Sequence, residues 1–190
     1  MRKAMQWVLI AGLALGIVSL ATAMPAEADR TTGLSASQSQ DRIVREVRHE
    51  LVMLPQLSVF DNLSYKVDGS TVTLLGEVRN AILKDEAQAA VKHIEGVEQV
   101  NNDIEILPLS FSDDRIRRQM ARELFRDPRL FEYSLQAVPP IHIVVKNGHV
   151  TLEGVVRDQG DKDVAGIRAN SVPGVFSVQN NLQVEHQARK

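Results

Sequence analysis

The body of this chain is written twice, and any fold that satisfies one copy must satisfy the other. Val72-Thr73-Leu74-Leu75-Gly76-Glu77-Val78 returns 78 positions later as Val150-Thr151-Leu152-Glu153-Gly154-Val155-Val156. At the same spacing, Gly96-Val97 and Val100-Asn101-Asn102 return as Gly174-Val175 and Val178-Gln179-Asn180. Upstream, Asp41-Arg42-Ile43, Glu50-Leu51, Pro55 and Leu57 return as Asp114-Arg115-Ile116, Glu123-Leu124, Pro128 and Leu130, now 73 positions on. The five-residue difference falls between Phe60/Tyr133 and Leu63/Ile141, where Pro139-Pro140 sits, so one loop is longer in the second copy. Repetition of this regularity specifies two modules, residues 41–108 and 113–185.

The N-terminus reads differently. Arg2 and Lys3 precede an uncharged, mostly apolar run from Trp7 to Leu20, followed by Ala21-Thr22-Ala23. That is the three-part pattern of a secretory signal peptide, residues 1–23, and the apolar run is shorter than the roughly 20 residues of a usual membrane span. Cleavage there leaves Met24, and a cut after Ala26-Glu27-Ala28 leaves Asp29; an uncleaved inner-membrane anchor is the alternative. Residues 24–40, rich in Ser, Thr and Gln, are expected to form a flexible leader. The chain has no Cys, which excludes a lipidated Cys, disulfides and thiolate metal sites. Loss of residues 1–23 removes two cations and takes the formal charge from −2 to −4, the wrong sign for a general nucleic-acid binder.

Within each copy the periodicity changes in a fixed order. Ile43, Val47, Leu51 and Leu54, and then Ile116, Met120 and Leu124, recur at helical spacing, and Pro55 and Pro128 end those helices. Strands 63–67 and 71–78 flank Asp68-Gly69, while strands 141–146 and 149–156 flank Asn147-Gly148, dipeptides suited to tight hairpins. A second helix follows, 81–95 in the first copy and about 160–172 in the second, where Gly160 and Gly166 weaken it. A last apolar strand closes each unit, 100–107 and 178–184. The expected fold class is therefore α+β: two tandem helix-strand-strand-helix-strand modules, each a small three-stranded sheet covered by two helices. Units of about 70 residues lie near the lower limit for a self-sufficient core, so the two are expected to share an interface across the short link 108–113.

These marks resemble the BON domain, a bacterial envelope module: a short helix, a hairpin carrying apolar-Thr-Leu-x-Gly-x-Val, a second helix, a Gly-Val, and a strand with Val-x-Asn-x-apolar. The two ordered sets, ending in Val100-Asn101-Asn102-Asp103-Ile104 and Val178-Gln179-Asn180-Asn181-Leu182, span residues 41–185. The resemblance implies a non-enzymatic, periplasmic protein associated with phospholipid and with osmotic-stress protection, without cofactors or catalytic residues. Many relatives carry a lipid on Cys, and this chain departs from them.

Chemical motifs are missing in the same sense. There is no Gly-x-Ser-x-Gly elbow, no phosphate-binding Gly-rich loop ending in Lys-Ser or Lys-Thr, and no His-Glu-x-x-His. His142 is expected opposite Glu153 and His149 beside Lys146, too far apart to share a metal. Asp113-Asp114 and Asp161-Asp163 read as charges placed near helix N-termini. One pattern points outward: Arg115, Arg118, Arg122 and Arg126 follow each other by three or four residues, forming a stripe about opposite the Ile116-Met120-Leu124 core stripe, with Phe125 beside it. Its first-copy counterpart is weaker: Arg42, Arg45, His49 and Met53. Such a face suits an anionic phospholipid surface. Against it stand Asp113, Asp114, Glu123 and Asp127, expected to cancel much of its charge. The competing reading is a periplasmic adaptor or chaperone-like protein that recognises envelope proteins by strand addition at a sheet edge or through the groove between the modules.

Overall fold

The computed structural model describes residues 28–136 and 138–185, with side chains from Gln38 on. The expected signal peptide lies outside the described residues. The first module comprises helix α1 (Ala28–Val52), strands β1 (Asn62–Asp68) and β2 (Thr71–Val78), helix α2 (Ala81–Lys92) and strands β3 (Gln99–Asn102) and β4 (Glu105–Ile106). The second repeats the order with α3 (Phe111–Phe125), β5 (Ile141–Lys146), β6 (His149–Val156), α4 (Gln159–Asn170), β7 (Ser177–Asn180) and β8 (Gln183–Val184). A short 3-10 segment, Phe131–Leu135, occupies the longer loop of the second copy. The architecture is α+β in two tandem modules.

Each sheet is built around its second strand. β2 pairs antiparallel with β1 and parallel with β3, and β6 does the same with β5 and β7. A parallel pair cannot be closed by a tight turn, so α2 and α4 serve as the crossovers. The last strand of each copy is broken in two, because Asn102 and Asn180 turn their side chains inward to the second helix. Asn102 Nδ2 donates to the Lys84 carbonyl at 3.0 Å and Asn180 Nδ2 to that of Lys162 at 2.8 Å. The repeated Asn is thus a pin between helix and strand. Gly166 leaves the room it needs, since a Cβ there would lie 3.0 Å from the Asn180 amide nitrogen.

The turns are close to expectation. Lys146 pairs with His149 across Asn147-Gly148, and both loop residues have positive φ, 53° and 79°. In the first hairpin Asp68 pairs with Thr71, so the loop is Gly69-Ser70, one position later than expected. The leader differs more: from Ala28 on it is helical and continuous with α1, not a flexible tether. The packed face of Ile43, Val47 and Leu51 nucleates the helix, after which each residue added toward the N-terminus needs only one further hydrogen bond.

The two cores are separate but the modules touch. One core joins Ile43, Val47 and Leu51 of α1 to Val72, Leu74 and Val78 of β2 and Leu83, Ala87 and Val91 of α2. The other uses the equivalent positions of α3 and β6, Ala165 and Ala169 of α4, and Ile141, Ile143 and Val145 of β5, with Asp161 standing where α2 has Leu83. Val59 and Phe60, from the loop before β1, pack against the second core, and the Ile143 amide donates to the Val59 carbonyl at 2.7 Å. Arg79 lies 3.5 Å from Asp114 across the same boundary.

Candidate lipid-contact face

Helix α3 begins at Ser110, whose hydroxyl accepts from the Asp113 amide at 3.2 Å. Asp113, Ile116, Arg117, Met120 and Leu124 turn inward. Helical geometry then places Arg115, Arg118, Arg122 and Arg126 on the outer side, and all four are exposed. None of these side chains hydrogen-bonds or ion-pairs with any described residue. Phe125 is half-buried against the second core, so only part of its ring faces out. Arg117, outside the stripe, is 3% exposed; it bonds to Asp114 at 2.7 Å and to the Val145 carbonyl at 2.5 Å.

Three of the four acids expected to neutralise the stripe are engaged elsewhere. The Asp113 carboxylate accepts from the amides of Asn147 and Gly148, each at 2.9 Å, and so ties α3 to the β5–β6 turn. Asp114 faces Arg117 and Arg79. Asp127 holds Arg168 at 2.8 Å; hydrogen bonds from the Arg129 amide and Arg168 keep its carboxyl below the usual carboxylate range. Only Glu123 remains near the arginines without such a partner. The face is consequently more basic than its local composition suggests.

Two apolar residues complete it that sequence reasoning overlooked. Leu109 is 98% exposed and Phe111 is 94% exposed. Phe111, at position i, heads the arginine row at i+4, i+7, i+11 and i+15, and a bulky apolar residue at the start of a polar stripe was the signal for it. The first-copy row is weaker: Arg42 is held by Glu95 at 2.9 Å and His49 lies 3.5 Å from Glu50, while Arg45 and Met53 are exposed.

The remaining candidates do not converge. His142 pairs with Glu153 across the hairpin and His149 with Lys146. Burial pushes the His142 imidazole below its ordinary value, against the opposing pull of Asp61 and Glu153. Among the described residues no cluster of His, Asp or Glu is placed to hold a metal ion. No described helix is long and apolar enough to cross a membrane. The outer edge of β5 is occupied by Val59 and Arg117, which leaves little backbone for an added strand there.

Two copies of a small mixed sheet, each pinned to its second helix by a repeated Asn, define the class: the chain belongs to the BON domain family, which matches residues 39–108 and 112–186. Among individual proteins, it is similar to the Osmotically-inducible protein Y of Escherichia coli, with 27% identity over 93% of this chain and 94% of that one. It is also similar to the outer membrane lipoprotein DolP of Haemophilus influenzae, 31% identical over 56% of this chain, and it spans about half (54%) of that relative's length. A solved structure of the C-terminal domain of CdsD, a type III secretion protein of Chlamydia trachomatis, covers 75% of this chain and is itself 96% covered, at 15% identity and a TM-score of 0.27.

Proposed function

We propose that this chain is a non-enzymatic envelope protein, exported to the periplasm, that docks on anionic phospholipid through the outer face of α3 and supports envelope integrity under osmotic stress. The observation that carries this reading is the set of four exposed arginines, unpaired among the described residues and headed by Phe111 and Leu109, with three of the four nearby acids drawn away to other partners. Cations at a membrane surface contribute about 1 kcal/mol each, and an exposed aromatic and aliphatic pair supplies the apolar part of an interfacial contact. The names of these two relatives, an osmotically inducible protein and an outer membrane lipoprotein, agree with an envelope role.

The test is co-flotation of the exported protein with anionic and with neutral vesicles at low and at physiological salt. Binding is expected with anionic vesicles only and is expected to fall as salt rises. The double substitution Arg118→Glu and Arg122→Glu is expected to weaken it by at least about thirtyfold, because two favourable contacts of about 1 kcal/mol are removed and then reversed in sign. Unchanged flotation of that variant overturns the site. Replacing Leu109 and Phe111 by Ser should leave the first, salt-sensitive encounter but lower the fraction that stays bound at physiological salt, read in the same assay.

A further inference from the structure

Beside the arginine stripe, the same corner of the second module contains a groove of about 490 Å³ between the start of α3 and the loop that enters β7. The repeat supplies an internal reference for it. The equivalent groove of the first module, about 370 Å³, is acidic: Glu46, Glu50 and Glu95 line it, and its one arginine, Arg42, is closed off by Glu95 at 2.9 Å. Moving one repeat along, Glu46 becomes Gln119, Glu95 becomes Pro173, and Glu98, just beyond, becomes Phe176. Three anions are thus removed, and Arg115, the counterpart of Arg42, has no partner among the described residues. The one acid that lines the second groove, Asp113, is 1% exposed and spends both carboxylate oxygens on backbone amides.

The replacements also build an apolar wall. Phe176 is 80% exposed, yet its ring is set against Gly148 so closely that a Cβ on that glycine would meet the ring at 2.5 Å. It is tilted against His149 at 5.9 Å between centroids. Gln119 lies one turn from Arg115, and its side-chain oxygen is buried without a partner. Gln119 lines the groove beside Arg115, and its side-chain amide supplies an NH2 donor there. One cation and one neutral donor at an end, with an aromatic and a proline along the side, make a site for a molecule with an anionic head and an apolar tail.

We propose that this groove binds single molecules of an anionic, single-chain amphiphile, of which a fatty-acid carboxylate is the simplest, with the head at Arg115 and the tail across Phe176 and Pro173. This site shares Arg115 with the α3 face but, unlike the docking of that face, needs no bilayer.

The experiment is an NMR titration of the exported protein with dodecanoate below its micelle-forming concentration, and with dodecyltrimethylammonium as the cation of equal tail. Dodecanoate is expected to give saturable, one-to-one shifts at the amides of Gly148, Gly174 and Phe176, and the cation none there. Substituting Pro173→Glu and Phe176→Glu together restores first-module chemistry at positions where that module already carries Glu. It is expected to weaken dodecanoate at least tenfold and vesicle co-flotation far less, since of the four arginines on the α3 face only Arg115 lies beside the new carboxylates. Arg118→Glu with Arg122→Glu should do the reverse. Absence of saturable shifts, equal shifts with the cation, or undiminished binding by the Pro173→Glu/Phe176→Glu protein overturns the proposal.

Discussion

Replacing Gly154 by alanine is expected to unfold the second module. Its φ is +119°, a region that L side chains rarely adopt, and a Cβ there would overlap the carbonyl oxygen of Pro140. The obstacle is backbone, and that same oxygen accepts the Val155 amide at 3.1 Å, so it has no freedom to swing away. Relief requires separating β5 from β6, the pair that carries much of the second core. A cost above about 4 kcal/mol is expected, comparable with the whole stability of a module this small. Gly76, with φ +114° and its would-be Cβ overlapping the Asn62 carbonyl, makes the same prediction for the first module. Gly69 is the control: φ is +59° with nothing within 4 Å, so alanine should cost only about 1 kcal/mol. Urea denaturation of the three variants measures this, and a Gly154→Ala protein within about 1 kcal/mol of the parent would refute the close-approach reading.

The second large effect concerns a charge buried in only one copy. Asp161 is 0% exposed and accepts from Tyr133 Oη at 2.6 Å, Arg129 Nε at 2.9 Å and Arg157 Nη2 at 3.3 Å. Its counterpart in the first module is Leu83, equally buried, and Tyr133 corresponds to Phe60. Removing one partner of a buried ionic network is far more damaging than replacing the network with apolar groups. Asp161→Ala is therefore expected to destabilise the protein by about 3 kcal/mol. Asp161→Leu combined with Tyr133→Phe, which adopts the first module's solution, should recover much of that loss. If the double variant is no better than Asp161→Ala, the network has a role the first module does not need.

The same network sets an acid limit. Burial pushes the Asp161 carboxyl up, but hydrogen bonds from Tyr133, Arg129 and Arg157 outweigh it and hold it below the usual carboxylate range. Asp127 is lowered as well. A carboxyl that is more acidic folded than unfolded stabilises the fold above its unfolded value, about pH 4, and that stabilisation is lost as pH falls through the folded value. Acid titration of thermal stability should accordingly show the second module failing first below about pH 4, and Asp161→Leu/Tyr133→Phe should blunt that slope.

How far the residues alone reached depended on the range of each interaction. The hairpins, both helices of each copy and the two closing strands followed from periodicity and from Asn147-Gly148-type turns, which act within a few residues. The glycines were recognisable as close-approach points, although only the register of β5 on β6 shows that the neighbour is the Pro140 carbonyl. The helical state of residues 28–40 was not legible, because their polar composition lacks a stripe and their helix is inherited from the packed turns that follow. Asp161 read as a first-turn acid. It does lie there, but nothing local announces that Tyr133, 28 positions away, buries it.

The amino-acid sequence by itself determined that there are two α+β modules of one kind, where their turns fall to within one residue, and which helix carries a row of arginines, since repetition and periodicity are local properties. Only the tertiary structure decided which of those charges are free. Asp127 finds Arg168 41 positions away, and Asp113 finds the turn amides at 34 and 35. A charge is cancelled by what lies near it in space, and the chain brings those partners together only when the second module is folded.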